Sequence, residues 1–350
     1  MTITSTEKPG RTGPRLGGGI GGRTSLGNLV VLAVIVVVLI PLPLVLPAAQ
    51  QAVAVRILIF ALMGVGWNLM SGFGGMFSFG HAAYFGIGAY TGAWLLVEHG
   101  VSPWIGMLAG GALAALFGVV IGYLSFRYRL KGAYFALATF AFAEMLHLIA
   151  TSSGFVNRAV GYNVPLIQGS SFGKLQFALG SPNYFYVGLG LVAVAIAVNV
   201  LYLRSRAGRF TIAVRDDQTA AAALGVHAMR YQLITIALSA AITAVAGVFY
   251  VQYYLFINPD LAFGSDVSIQ AILPAVIGGV GTIWGPAIGA LILGPLSDVT
   301  ASLLRNPPAF LSTLQGRGGL DVILYAILLI VLVLALPRGV YGAIRGRFRR

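Results

Sequence analysis

The chain has 350 residues, of which 58% are hydrophobic and only 9% charged, with a net charge of +13 and 47 glycines. A soluble globular domain carries about 25% charged residues, and disorder needs low hydrophobicity with many charges, so both classes are excluded. The absence of cysteine excludes disulfides, thiolate metal sites and cysteine nucleophiles together.

A mean hydropathy of +0.89 over this length predicts many membrane-spanning helices. Unbroken apolar runs such as 29–46 argue against the short alternating segments of a β-barrel. The sequence reads as an all-α integral membrane protein. Residues 1–27 are polar, glycine-rich and basic and are expected to form a disordered tail; 28–340 form one transmembrane domain, and 341–350 a second basic tail. The apolar run after the first tail is too long for a signal-peptide core and reads as a retained helix. Ten spans are expected, at 28–47, 52–71, 76–97, 103–124, 132–150, 184–203, 231–256, 267–282, 285–304 and 320–336.

With ten spans, one side of the membrane holds the first tail, the turn with Arg127, Arg129 and Lys131, the 204–230 loop and everything after the last span, 337–350. These carry 4, 3, 5 and 5 of the 22 Lys and Arg, which leaves only Arg56, Arg158, Lys174, Arg305 and Arg317 on the other side. The positive-inside rule then puts both termini in the cytoplasm. It also assigns the net charge to topology rather than to nucleic-acid binding.

Residues 68–92 read NLMSGFGGMFSFGHAAYFGIGAYTG. Glycines thin the helix there, and Ser71, Ser78, His81, Tyr84, Tyr90 and Thr91 add polar groups. Broken helices free backbone N–H groups, and half-helix N-termini suit anionic groups such as a carboxylate. For any single glycine the alternative is close helix packing. His81 either lines a pathway or bonds a neighbouring helix, and Glu144 is expected to pair with Arg158 or His147. The 151–183 loop lies outside. Inside, 204–230 starts as a basic turn; Asp216, Asp217 and Gln218 then precede an alanine run closed by Gly225. These are start and stop signals for a short cytoplasmic helix with an apolar Ala/Leu face. FGGMFSFGHAAYFGIG at 73–88 aligns with FGSDVSIQAILPAVIG at 263–278. The two would cross in opposite directions, as in an inverted repeat whose broken segments meet near the midplane. Pro274 and Pro286 should kink or end helices, and 278–296 reads as a tight turn rather than a gate.

The sequence has no phosphate loop, no HExxH and no GxSxG. Charged groups inside the spans are scarce, so ion-coupled pumping lacks its usual residues. The chain reads as a conduit whose energy source lies elsewhere.

Four collinear segments, NLMSGFGGMFSFGHAAYFGIGAYTGA, LKGAYFALATFAFAEMLHL, AVRDDQTAAAALGV and ILPAVIGGVGTIWGPAIGA, resemble the branched-chain amino-acid ABC transporter permeases of the LivM type. The resemblance covers roughly 50–340. It implies a multi-pass permease of the bacterial inner membrane, forming half of a pore for branched-chain or other small hydrophobic amino acids. It implies as partners a sister permease of the LivH type, two ATP-binding subunits and a periplasmic substrate-binding protein. ATP would be used by those subunits, and this chain would be no enzyme and need no cofactor or metal. The cytoplasmic helix, at about 211–230, resembles the family's coupling segment. Its EAA-x3-G pattern falls on Thr219, Ala220, Ala221 and Gly225, with threonine in place of the acid, Asp216 and Asp217 just before it, and Leu224 just before the glycine. Asn68, Ser78, His81, Tyr84, Ser268 and Gln270 are the expected pathway residues. One stretch departs from the family: TSSGFVNRAVGYNVPLIQG at 151–169 stands where relatives carry a Gly-rich, TGG-like stretch. That leaves urea, short amides or aromatic acids open as substrates. The rival class is a stand-alone secondary transporter or channel, which predicts flux from this chain alone.

Overall fold

The structure is a computed structural model that describes residues 26–154, 157–166, 171–178, 180–305, 326–331, 334, 336 and 339–347. In lipid, an apolar run satisfies its own backbone groups by forming a helix, and the described residues are helical almost throughout. α1 (Leu26–Leu39) and the single turn α2 (Leu42–Val45) are separated around Pro41, which cannot donate a helical N–H bond. α3 (Ala48–Trp67) runs directly into a π-helical turn, Asn68–Phe73. α4 (His81–His99), α5 (Pro103–Arg127) and α6 (Ala133–Ser152) follow. Then come α7 (Asn183–Arg204), α8 (Arg206–Asp216), α9 (Gln218–Ala223) and α10 (Ala228–Tyr254). α11 (Pro259–Phe263), α12 (Ser265–Gly278), α13 (Gly285–Arg305) and a short helix at Gly339–Arg347 complete the order. Two-residue strands β1 (Tyr162–Asn163) and β2 (Phe256–Ile257) pair antiparallel, with Tyr162 opposite Ile257.

Seven of the described helical stretches are long and apolar enough to cross a membrane: Gly27–Val45, Ala48–Phe73, Pro103–Arg127, Ala133–Ser152, Asn183–Arg204, Ala228–Tyr254 and Pro259–Gly278. The ten-span expectation differs from this at identifiable places. The span at 76–97 begins five residues later, at His81, and its polar groups keep it below the apolar threshold. Yet α4 is among the most buried helices, because neighbouring helices rather than lipid surround it. Around 285–304 the strongly apolar part is the shorter stretch Gly285–Ser297. The expected tenth span and the expected tail at 1–27 lie largely outside the described residues, although Leu26 and Gly27 are already helical. Residues 341–347, expected as a tail, belong to the last helix.

Packing is reciprocal. α10 lies against α4 and α5, while α3 lies against α12 and α13, and α3 and α10 touch each other. Side-chain register gives the directions. A methyl at Gly92 would meet Val248 at 2.8 Å and one at Gly88 would run into the Ala244 backbone, so α4 and α10 are parallel. Gly66 approaches Thr243, and Gly74 approaches Thr235, so α3 and α10 are antiparallel. Between α4 and α5, Gly88 faces Gly110 and Gly92 faces Gly106. Two G-x-x-x-G stripes thus mesh antiparallel, the small-residue contact that lets membrane helices pack backbone to backbone. Pro274 and Pro286 close around Gly64, and the chain between α12 and α13 is a tight turn, as its glycines suggest.

Candidate functional site

α3 ends deep inside the bundle, and residues 74–80 are not helical. Backbone exposed in this way must find partners within the protein. It does. Trp67 Nε1 donates to the Ser78 carbonyl at 2.8 Å, and Ser71 Oγ donates to the Met76 carbonyl at 3.0 Å. The Phe79 N–H reaches Thr139 Oγ1 of α6 at 3.3 Å, and the Gly80 N–H reaches Ser78 Oγ at 3.1 Å. Burial alternates: Met76, Ser78 and Gly80 are buried, and Phe77 and Phe79 are exposed.

α4 starts from this segment, and its Ala82 N–H donates to Ser268 Oγ of α12 at 3.0 Å. Since α12 itself begins only three residues earlier, two helix N-termini that run in opposite directions meet inside the bundle. His81 Nε2 lies 3.0 Å from Ser239 Oγ, whose proton goes to the Gly66 carbonyl at 2.7 Å. The ring therefore donates through Nε2, and its buried Nδ1 has no partner.

Five of the six expected pathway residues are buried. Asn68 ties the α12–α13 turn to the π-helix, accepting from the Gly281 N–H at 2.7 Å and donating to the Thr282 carbonyl at 2.8 Å. Ser78, His81, Tyr84 and Ser268 pack inside as described, with Tyr84 edge-on to His81. Gln270 is exposed, beside Ile269 and one turn from Asp266, which is exposed too. The Ser268–Ala82 bond brings this strip of α12 to the level of Phe79. Replacing Ser268 with alanine leaves a buried N–H unmatched and is expected to cost about 1–3 kcal/mol. Chemical unfolding in detergent reads this; an unchanged midpoint would remove Ser268 from the role of cap.

The 204–230 segment folds as two helices rather than a basic turn and one helix. Ser205 caps α8, and Asp217 caps α9 by accepting from the Thr219 and Ala220 N–H groups at 2.8 and 2.9 Å. Gly225, at φ +81°, ends α9: Val226 N–H bonds the Ala221 carbonyl and Gly225 N–H the Ala222 carbonyl. Ala221 is buried, whereas Thr219, Ala220 and Asp216 are exposed and Leu224 is 84% exposed at the tip. Sequence reasoning missed Trp67, Thr139, Ser239 and Arg215, which hold this region together.

At the opposite end of the bundle, a cavity of about 430 Å³ is lined by Trp94, Glu98, His99, Gly154, Asn157 and Tyr162. Burial, and then the Glu98 carboxylate, push the Tyr162 phenol pKa upward. Nearby, His147 lies 3.4 Å from Glu144 and 2.9 Å from Asp260, so of the two partners expected for Glu144 the structure places the histidine beside it.

A polytopic helical bundle with an unwound segment inside and a short helix pair at one end is the architecture of a multi-pass membrane protein. Residues 49–336 match the model of the family described as branched-chain amino acid transport system, permease component, and the chain belongs to that family. It is 26% identical to the high-affinity branched-chain amino acid transport system permease protein LivM of Escherichia coli, over 87% of this chain and 74% of that one. It is 30% identical to LivH of Salmonella typhimurium, over 81% and 91%. To BraD of Pseudomonas aeruginosa it is 26% identical, again over 81% and 91%. Both latter names also denote high-affinity branched-chain amino acid permease proteins. No solved structure gives a significant match. The chain is a multi-pass membrane protein of this transport permease family.

Proposed function

We propose that this chain is one permease subunit of an ATP-driven importer, forming half of a pore for branched-chain or other small hydrophobic amino acids. The observation that carries the reading is α9: a capped helical turn presenting Leu224 outward from a membrane bundle of this family. Exposed leucine at a tip is a docking knob, and the partner with work to deliver is an ATP-binding subunit. Two such subunits, a sister permease and a substrate-binding protein complete the assembly. Arg127, Arg129, Lys131, Arg204, Arg206, Arg209 and Arg215 lie at the α8–α9 end, which the charge rule makes cytoplasmic. The cavity at Trp94 and Tyr162 then faces the periplasm, where the binding protein docks, and the membrane is the bacterial inner one with both termini inside.

The reciprocal packing of α3, α4 and α5 with α10, α12 and α13, together with the antiparallel α3 and α10, supports an inverted repeat. Substrate passes the exposed strip of Phe77, Phe79, Ile269 and Gln270 when the sister subunit covers it. Asn68, Ser78, His81, Tyr84 and Ser268 act behind that strip, holding the broken helices open. The test is purification of the tagged chain with its co-encoded neighbours. Copurification of an ATP-binding subunit supports the reading, and an isolated chain that retains no such subunit contradicts it.

A further inference from the structure

α8 is clamped to the bundle at its middle. Tyr202 of α7, Thr211 of α8 and Thr235 of α10 form a buried hydroxyl triangle with edges of 2.7, 2.7 and 3.2 Å. Gly208 lets α8 lie directly on the Tyr202 backbone. Beyond the clamp, the last turn of α8 carries Arg215, whose side chain is only 17% exposed and turns into the bundle. Its Nη1 donates to the Gly72 carbonyl at 3.3 Å, while Nε and Nη2 donate to Asp216 Oδ1 at 2.9 and 2.7 Å. Gly72 lies in the final turn of the π-helix, where carbonyls lack helical partners and carry partial negative charge.

The aliphatic stem rests on bare backbone. A Cβ at Gly75, where φ is +70°, would run into Arg215 Cγ. On the far side, a Cβ at Gly281 would stand 3.3 Å from the Gly72 carbonyl and 4.0 Å from Arg215 Nη1. One side chain therefore touches the start of the unwound segment and borders the α12–α13 turn. Its own backbone lies two residues from the Asp217 cap of α9, with no glycine between them.

We propose that Arg215 is the strut that carries displacement of α8–α9 to the unwound segment 74–80 and the α12–α13 turn. This rests on the reading of α9 as the ATPase contact. A push on Leu224 tilts α8 about its hydroxyl clamp. The arginine stem, seated on glycine without clearance, moves Gly72 and Gly75 with it. Asp216 pins the guanidinium so that the fork does not swing aside. Arg215 is a positioning residue in this scheme and needs no contact with substrate.

This chain has no cysteine, so Phe77→Cys gives it a single thiol on an exposed residue of the unwound segment, and cysteines of the partner subunits are first replaced by serine. An environment-sensitive fluorophore there reports movement in the full assembly when ATP and vanadate trap the ATPases. Coupling energies of this kind correspond to factors of about 5 to 150, so Arg215→Gln is expected to cut the emission change by about tenfold. ATP hydrolysis per assembly should persist, and Arg215→Lys, which keeps stem and charge, should restore most of the response. A merely structural role would lower hydrolysis and response together. An unchanged response in Arg215→Gln overturns the strut. If that variant fails to assemble, Asp216→Asn decides, since Asp216 is 63% exposed and its loss only frees the fork; a normal response there also overturns it. A wild-type assembly that retains its ATP-binding subunits but shows no ATP-dependent response also overturns the strut, whereas failure of those subunits to copurify with the chain refutes the α9 reading, and the two failures are thereby distinct.

Discussion

Replacing Gly88 with leucine is expected to destroy the folded bundle, while the same substitution at Gly190 leaves it intact. Gly88 sits between Gly110 of α5 and the Ala244 backbone of α10, and neither can yield as a flexible side chain could. Overpacking costs about 1–3 kcal/mol even where side chains adjust. Here three helices would separate along a G-x-x-x-G contact, so the cost exceeds that range. Gly190 is exposed on α7 and has nothing within 4 Å of a would-be Cβ. The yield of monodisperse protein in mild detergent reads the difference. Equal yields from the two variants would mean that α4, α5 and α10 do not pack as described.

Leu224→Asp is expected to abolish ATP-driven transport without disturbing the fold. The side chain is 84% exposed and supports nothing in the bundle. An anchor of this kind at a docking surface is worth about 2 kcal/mol or more, close to a thirtyfold loss of affinity. Copurification of the ATP-binding subunit and stimulated ATP hydrolysis should fall together, with the thermal midpoint of the isolated chain unchanged. Ala221→Asp tests the opposite face. That residue is buried where α9 lies against the protein, so its variant should loosen α9 itself. Normal stimulation in both variants would remove α9 from the coupling role.

Features written into adjacent residues were legible in the sequence. Asp217, the alanine run and Gly225 gave the start, body and end of α9, because capping and left-handed backbone are local requirements. The glycines and serines of 71–80 likewise marked an unwound segment, and its interior position follows from their burial. Less could be read where the partner lies far along the chain. Ser268 meets Ala82 across 186 residues and Arg215 meets Gly72 across 143, and no local pattern announces either contact. The expected span at 76–97 is present as α4, and it is less apolar than the other spans because protein neighbours solvate its polar groups. One signal was available and unused. Thr235, Ser239 and Thr243 recur every four residues along α10, a polar stripe on one face through which Thr235 bonds Tyr202 and Ser239 bonds both His81 and the Gly66 carbonyl, while Thr243 donates back to the Ser239 carbonyl. Arg215 lies within the basic run of 204–230, where topology alone accounts for a positive charge and nothing local distinguishes it from its neighbours.

The most direct measurement is uptake of radiolabelled leucine into proteoliposomes, first with this chain alone and then with its co-encoded partners. A permease subunit predicts uptake only in the complete assembly and only with ATP. Uptake by the chain alone under an ion gradient would contradict that account and make the protein a stand-alone secondary transporter.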